Sequence, residues 1–422
     1  MSTARGRASG TGSSTGSGSG SGTDTDTEVA VVGAGPVGLT AALALARAGI
    51  GVTVFESEPE LSTEWRASTF HPPTVEIARH LGIADAMLAA GLIAPRYQVR
   101  DRTDGLIAEF DFGALGDETE YPFRLQLEQY KYTQILRDTL AAEHPDVTIR
   151  MGRGISDLRD AGDHVVLQSG PHRSTARWAL ATDGARSTVR KVLDCPFEGL
   201  TYEHRYLVLS IDYPIDTLLP GICDVNYISD PVEHLLVLRV PDVWRVVVSV
   251  PPEVSSEEAV SDSYVGQRLR TLLGDQPDLV LLERKTYAVH QRVVDSFRHG
   301  RVLLLGDAAH INSPMGGMGL NSGIHDAFDL SVQLTGHLRG ELDESVLDLW
   351  ATRRRKAAVE TVQEITHRTT TALAESDEHQ RRRFQQQMSD IAADPRRAKA
   401  WMMDAAMISN ARAYDLPARN GT

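Results

Sequence analysis

Val29-Ala-Val-Val-Gly33-Ala-Gly35-Pro-Val-Gly38, then a helical stretch, then Val52-Thr-Val-Phe-Glu56, reads as strand, glycine turn, helix, strand and acid in that order. Gly33 permits a tight turn off a buried strand, Gly35 has no side chain to block a pyrophosphate, and Gly38 lets the helix approach the strand closely. A helix from about Pro36 to Ala48, rich in Ala and Leu and closed by Gly49, would turn its free N–H groups and positive dipole end toward the phosphates. Glu56 falls roughly 20 residues after the glycines, where a carboxylate accepts both hydroxyls of an adenosine ribose and disfavours a 2′-phosphate. The plain alternative is a glycine turn that binds nothing.

Far downstream lies Arg301-Val-Leu-Leu-Leu-Gly306-Asp307-Ala-Ala-His310, which leads into Ser313-Pro314-Met-Gly316-Gly317-Met-Gly319-Leu-Asn321. In this order and at this separation the two segments predict a chain that binds FAD. Asp307, at the end of a buried strand, can accept hydrogen bonds from ribityl hydroxyls. Gly316, Gly317 and Gly319 let backbone lie against a flat ring. Leu320 and Asn321 open a helix whose N–H groups can face the flavin edge where negative charge gathers on reduction. Pro314 stiffens the loop and offers a carbonyl toward a substrate. His310 reads as a structural turn residue, and His71 receives no role.

The chain has 422 residues, 41% of them apolar, enough for a sizeable core and two or three domains. A net charge of −14 disfavours nucleic acid, which is held by basic clusters. Cys195 and Cys223 form no metal or redox pair by spacing. No apolar run approaches a membrane span and no signal peptide is expected, so a cytoplasmic location is the default. Residues 1–27, mostly Gly, Ser and Thr, read as a disordered tail. Tyr206 to Pro251 contains four strand-like runs separated by turn residues, which predicts an antiparallel sheet. From about Leu342 to Tyr414 the chain reads as helical, with Arg353-Arg-Arg-Lys356 and Arg381-Arg-Arg383 as solvated faces. The expected fold is α/β: a Rossmann-like FAD-binding domain (28–200 and 285–340), an inserted antiparallel-sheet substrate domain (201–284) and a helical C-terminal region (341–422).

These motifs resemble the single-component FAD-dependent aromatic hydroxylases related to para-hydroxybenzoate hydroxylase. The resemblance covers roughly Glu28 to Gly340 and includes a DGxxSxVR motif, here Asp183-Gly184-Ala-Arg-Ser187-Thr-Val189-Arg190, besides the glycine block from Gly306 to Asn321. It implies that Arg66 and Gln129 contact the phosphate and ribityl regions and that Asp183 belongs to the cofactor site. A surface arginine and an Asp that caps local backbone are the plain readings of Arg66 and Asp183. Met318 and Thr182 depart from the family pattern, and Met318 makes the local wall more apolar. The resemblance further implies NAD(P)H as a transient reductant without a domain of its own, capture of O₂ as a flavin C4a-hydroperoxide, and a small aromatic substrate. A monomer or homodimer is expected, and the short C-terminal region leads to the expectation of no thioredoxin-like domain such as longer members carry. Tyr202, His204, Tyr227, Arg239 and Arg245 are candidates to meet a phenol, and none is named as a catalytic base. A quinone-pathway hydroxylase with a lipophilic substrate and an O₂-independent flavin reductase remain open at this point.

Overall fold

The computed structural model describes residues 23–276 and 278–415. The first sheet is built on five parallel strands, in the order Val302–Leu304, His172–Ala181, Thr23–Val32, Val52–Phe55 and Thr148–Arg150. The apolar runs of the first four are buried on both faces, as strands covered by crossover helices must be, and Thr148–Arg150 forms a more exposed edge. The first strand begins at Thr23 and pairs with His172–Ala181, with a register shift between Asp24 and Thr27, so residues 23–27 are not part of a tail; the rest of the expected tail, 1–22, lies outside the described residues.

The helix after the first glycines runs Pro36–Arg47 and buries Leu39, Ala42, Leu43 and Ala46 against the sheet. Pro36 suits its first turn, where a missing N–H costs nothing, and Gly49, at φ +73°, ends it. The helix Gly319–Leu338 packs beside it, with both of its ends set by short glycine-containing turns.

The second sheet has eight strands. The four runs expected between Tyr206 and Pro251 are present and pair antiparallel: Glu198–Asp212, Trp244–Val250, Leu235–Arg239 and Val225–Ser229. The sheet extends beyond that segment on both sides. Val280–Val293 lies along Glu198–Asp212, and the hairpin Arg96–Asp101/Gly105–Asp111 joins Val225–Ser229 by a parallel pair. Substrate-sheet residues are therefore drawn from 96–111 as well as from the insertion. The strand through Tyr206 is buried on both faces: Tyr206 and Val208 join one core, while Leu207, Leu209 and Ile211 join another beneath the helix Asp262–Leu273.

The C-terminal helices Glu364–Leu373, Glu378–Ala393 and Pro395–Ala405 close over the hairpin and contribute Leu373, Met388, Ile391 and Met402 to the core that contains Tyr206. The charge runs here are not uniformly solvated. Arg354 is fully buried, its Nε donating to Asp326 Oδ1 at 2.7 Å and its Nη1 to Asp415, because the partners that make it a core residue come from elsewhere in the chain. No helix among the described residues is long and apolar enough to cross a membrane.

Candidate active site

Three adjacent parallel strands end at the same edge of the first sheet, and each delivers one sequence motif there. Thr23–Val32 leads to Gly33, His172–Ala181 to Thr182 and Asp183, and Val302–Leu304 to Gly306 and Asp307. Ligands of open α/β sheets bind beyond these carboxyl ends.

The three glycines differ in what holds them. At Gly33 (φ +106°) a Cβ would lie 2.6 Å from the Thr182 carbonyl oxygen, and at Gly38 it would lie 2.0 Å from the Gly33 carbonyl oxygen. Both are demanded by the protein itself. A Cβ on Gly35 would meet no protein atom within 4 Å, and its φ of −73° suits any residue. The space in front of Gly35 and the helix N-terminus thus fits a pyrophosphate. We therefore expect Gly35→Val to unfold within about 1 kcal/mol of the wild type, as surface changes do, yet to purify without FAD. Denaturant titration and the visible flavin spectrum check both halves, and a yellow Gly35→Val protein would contradict the fingerprint.

Glu56 follows Val52–Phe55 directly and accepts from the Ala34 N–H at 2.6 Å and the Glu58 N–H at 3.0 Å, which orients its carboxylate beside the glycine turn. Thr182 Oγ1 donates to the carbonyls of Val32 (2.8 Å) and Gly33 (3.0 Å), so this departure from the family pattern ties the turn to its neighbouring strand.

Asp183 turns its carboxylate to its own segment of chain. Its Oδ1 accepts from Ser187 Oγ at 2.5 Å and its Oδ2 from the N–H groups of Thr188 (2.7 Å) and Val189 (3.1 Å), capping the helix Thr188–Val192. That helix carries Arg190, buried, whose Nη1 donates to the Ala308 carbonyl at 3.0 Å and Nη2 to the Ala185 carbonyl at 2.7 Å. The Asp-Gly motif is therefore a clamp on the turn that presents Asp307.

Asp307 itself is exposed at the end of a buried strand, with no hydrogen-bond partner among the described residues. Nearby protein raises its carboxyl from the ordinary value by desolvation, against the pull of His310, Arg66 and Arg190. An acceptor held open in this way fits polyol hydroxyls. Arg66 is exposed and pairs with Glu64 at 3.0 Å, although its charge reaches Asp307. Gln129 begins the helix Gln129–Glu143, half-buried, with its N–H on the Ala67 carbonyl at 2.9 Å.

The loop after His310 folds tightly. Gly316 and Gly317 have φ of +97° and +66°, and the Pro314 carbonyl accepts from the Gly317 N–H at 3.0 Å, which leaves its second lone pair open. A Cβ on Gly317 would meet Thr69 at 2.9 Å, and one on Gly319 the Asn312 Oδ1 at 3.0 Å. Leu320 is half-buried in the first turn of Gly319–Leu338. Asn321 is fully buried and turns its side chain into the protein: Nδ2 donates to the carbonyls of Thr69 (2.8 Å) and Gly317 (2.6 Å), and Oδ1 accepts from the His71 N–H (2.8 Å) and Thr74 Oγ1 (2.7 Å). Its side chain holds the loop, with both donors and both acceptors of the amide taken by protein. His71, given no role by its sequence context, meets the Gly316 carbonyl through Nε2 at 2.9 Å, and burial, aided by the Arg124 charge, holds its pKa well below the usual range. His310 is buried with Nε2 2.9 Å from Asp326 Oδ2.

Behind this loop lies a cavity walled by Gly316 and Met318, by Tyr97, Arg124 and Tyr227, and by the C-terminal helices. Of the five sheet residues considered for a phenol, only Tyr227 lines it. Arg245 is buried elsewhere and donates to the Arg66 carbonyl; Arg239 is exposed; Tyr202 Oη meets His367 Nδ1 at 2.7 Å. Tyr97 and Arg124 are the residues the sequence reading misses. A signal for Tyr97 exists: Asp104-Gly105 between two alternating runs marks a hairpin.

The likenesses of this chain agree with the geometry. A family described as FAD binding domain matches residues 26–365. The chain is 33% identical over 375 residues, 86% of its length and 91% of the relative's, to para-nitrophenol 4-monooxygenase of Pseudomonas sp. strain WBC-3. It is 32% identical over 316 residues, 73% of its length and 79% of the relative's, to 6-hydroxy-3-succinoylpyridine 3-monooxygenase HspB of Pseudomonas putida strain DSM 28022 / S16. The crystal structure of p-nitrophenol 4-monooxygenase PnpA from Pseudomonas putida DLL-E4 superposes with a TM-score of 0.87 at 31% identity, covering 93% of this chain and all of that one. With its glycine turn open toward a pyrophosphate and Asp307 held free at the strand end, the chain belongs to the single-component FAD-dependent aromatic hydroxylases, and it is a flavin monooxygenase.

Proposed function

We propose that this monooxygenase takes electrons from NADH or NADPH and inserts one oxygen atom of O₂ into a small phenolic or heteroaromatic compound bound in the cavity behind the loop. The observation that carries the reading is the loop Pro314–Leu320, which joins the Asp307 turn on one side and walls the cavity through Gly316 and Met318 on the other. Nitrophenols and hydroxypyridines, named for two of the relatives, are the compounds to try first.

FAD would be held by the Gly33–Gly38 turn and its helix at the pyrophosphate, Glu56 at the adenosine ribose, Asp307 with Arg66 and Gln129 along the ribityl and phosphate chain, and Gly316–Leu320 at the ring. When bound, it supplies the hydride acceptor and the activation of O₂. The chain's own part is positioning and exclusion of water. Met318, Ile365, Leu373 and Met388 give the cavity an apolar wall. Tyr97 accepts from Trp401 Nε1 at 2.6 Å, and burial raises its phenol far above the ordinary range, so it stays protonated and is not a base.

The test is anaerobic reduction of the purified flavoprotein by NADH and by NADPH across a panel of such compounds. A compound that both accelerates flavin reduction and is hydroxylated once O₂ is admitted supports the reading. Reduction indifferent to every aromatic compound, with none of them oxygenated, contradicts it.

A further inference from the structure

The cavity wall holds a buried cation that no carboxylate answers. Arg124 lies on the short strand Arg124–Gln126 and is 2% exposed. Its Nη1 donates to Tyr227 Oη at 3.2 Å and its Nη2 to the Ala405 carbonyl at 3.3 Å, both neutral acceptors, while Nε has no partner. Among the described residues no carboxylate forms an ion pair with it. Its guanidinium carbon sits 4.8 Å from the Tyr97 ring centroid, 5.4 Å from that of Phe112 and 6.0 Å from that of Tyr227. Aromatic faces attract a cation but do not satisfy the five N–H donors of a guanidinium.

A buried charge without a counter-charge is a costly arrangement, and a ligand that brings an anionic oxygen removes the cost. Tyr227 Oη accepts from Arg124, which leaves its O–H to donate toward the same ligand atom. Tyr97 cannot act as the missing anion, because burial, outweighing the pull of Arg124, keeps its phenol protonated. The other charged groups on the wall are Arg368, set 5.3 Å over the Trp401 ring, and Asp404, which is exposed. His71, within electrostatic reach of Arg124, is held neutral by burial.

We propose that Arg124, with the Tyr227 hydroxyl beside it, is the receptor for an anionic oxygen carried by the aromatic substrate, a phenolate or a ring-borne carboxylate. This cation then determines which aromatic compounds the enzyme accepts. The inference rests on the hydroxylase reading above and narrows its substrate class. The residue is not a base: it binds a proton-free oxygen and selects the ionised form from solution.

The test measures equilibrium binding of three probes to the oxidised flavoprotein by calorimetry: 4-nitrophenol, 4-nitrobenzoate and the uncharged 4-nitroanisole. At a pH where the phenol is ionised, at least one of the two anions is expected to bind roughly tenfold or more tightly than nitroanisole, the gain of a charge-assisted bond over a neutral contact. Whichever anion it is names the group. If it is the phenolate, nitrophenol affinity falls as pH drops through its own ionisation, while nitroanisole stays level. Arg124→Met, at wild-type flavin content, is expected to bring the three probes to similar affinity, and Arg124→Lys to keep part of the preference.

Equal binding of anions and nitroanisole by the wild type overturns the proposal, and so does a preference that survives Arg124→Met. The wild-type comparison decides even where the Met variant does not fold. If anions are preferred but no aromatic compound is ever oxygenated, the hydroxylase reading fails and the receptor stands. If nitroanisole is bound and hydroxylated as well as the anions are, the hydroxylase reading stands and the receptor fails.

Discussion

Replacing Asp307 by alanine is expected to leave a folded protein that no longer retains FAD. The carboxylate is exposed, has no hydrogen-bond partner among the described residues, and follows a buried strand whose own contacts do not involve it. Its removal therefore takes nothing from the fold. It takes from the cofactor one or two hydrogen bonds to a charged acceptor, each about 1.5–3 kcal/mol, so affinity should fall by roughly tenfold or more. Asp307→Asn should bind with intermediate strength, because the amide oxygen still accepts without a charge. The check is flavin content after purification, with the dissociation constant from fluorescence on adding FAD back and circular dichroism for the fold. Full flavin occupancy in Asp307→Ala would remove the residue from the site.

The second large effect is expected where the turn that carries Asp307 is anchored. Arg354 lies wholly inside the protein between Asp326 and Asp415 and also reaches the Ser322 carbonyl at 3.3 Å. Asp326 in turn accepts from the Gly306 N–H at 3.1 Å and meets His310, so the network holds the turn from which Asp307 projects. Arg354→Met leaves two carboxylates without their cation and should cost about 3–5 kcal/mol, the penalty for breaking a buried pair on one side. Lysine should not restore it, since one ammonium cannot span the three acceptors.

A pH dependence follows from the same network. Burial alone would raise the Asp326 carboxyl, but Arg354 and His310 outweigh it and hold it at about 2. A carboxyl depressed below its unfolded value contributes stability that is complete above the unfolded pKa, about 3.9, and is lost as pH falls through the folded one. Acid unfolding of the wild type should thus draw on Asp326 between about pH 4 and pH 2, and Asp326→Asn should flatten that part of the stability curve. Denaturant midpoints measured across this range check it, and an unchanged slope would show that the carboxylate does not titrate with folding.

Much of the fold is legible in local pattern. A strand, a glycine turn and an Ala-rich helix closed by Gly49 carry their own conformational reasons, and the strands between Tyr206 and Pro251 are bounded by proline and aspartate turns. What is not legible depends on partners distant in sequence. Arg353-Arg-Arg-Lys356 looks like one solvated run, but the middle of it is buried because Asp326 and Asp415 meet Arg354 there. Asn321 stands among glycines suited to a flat ring, yet its amide is consumed by Thr69, His71, Thr74 and Gly317. Asp183 sits in a motif that travels with cofactor binding, and its carboxylate caps a helix whose Arg190 does the clamping. Tyr97 and Arg124 come from a hairpin and a three-residue strand well before the sheet segment. The parallel pairing of Arg96–Asp101 with Val225–Ser229 brings Tyr97 to the cavity, and Arg124 arrives on a strand paired with Thr69–Phe70 and Leu92–Ala94.

The central claim is tested most directly by supplying isotopically labelled O₂ to the flavoprotein with NAD(P)H and the aromatic compound that best accelerates flavin reduction, and weighing the product. One labelled oxygen atom in the aromatic product, and no product without O₂, is the predicted result. A product that carries no label, or that forms as well under anaerobic conditions, would contradict the account.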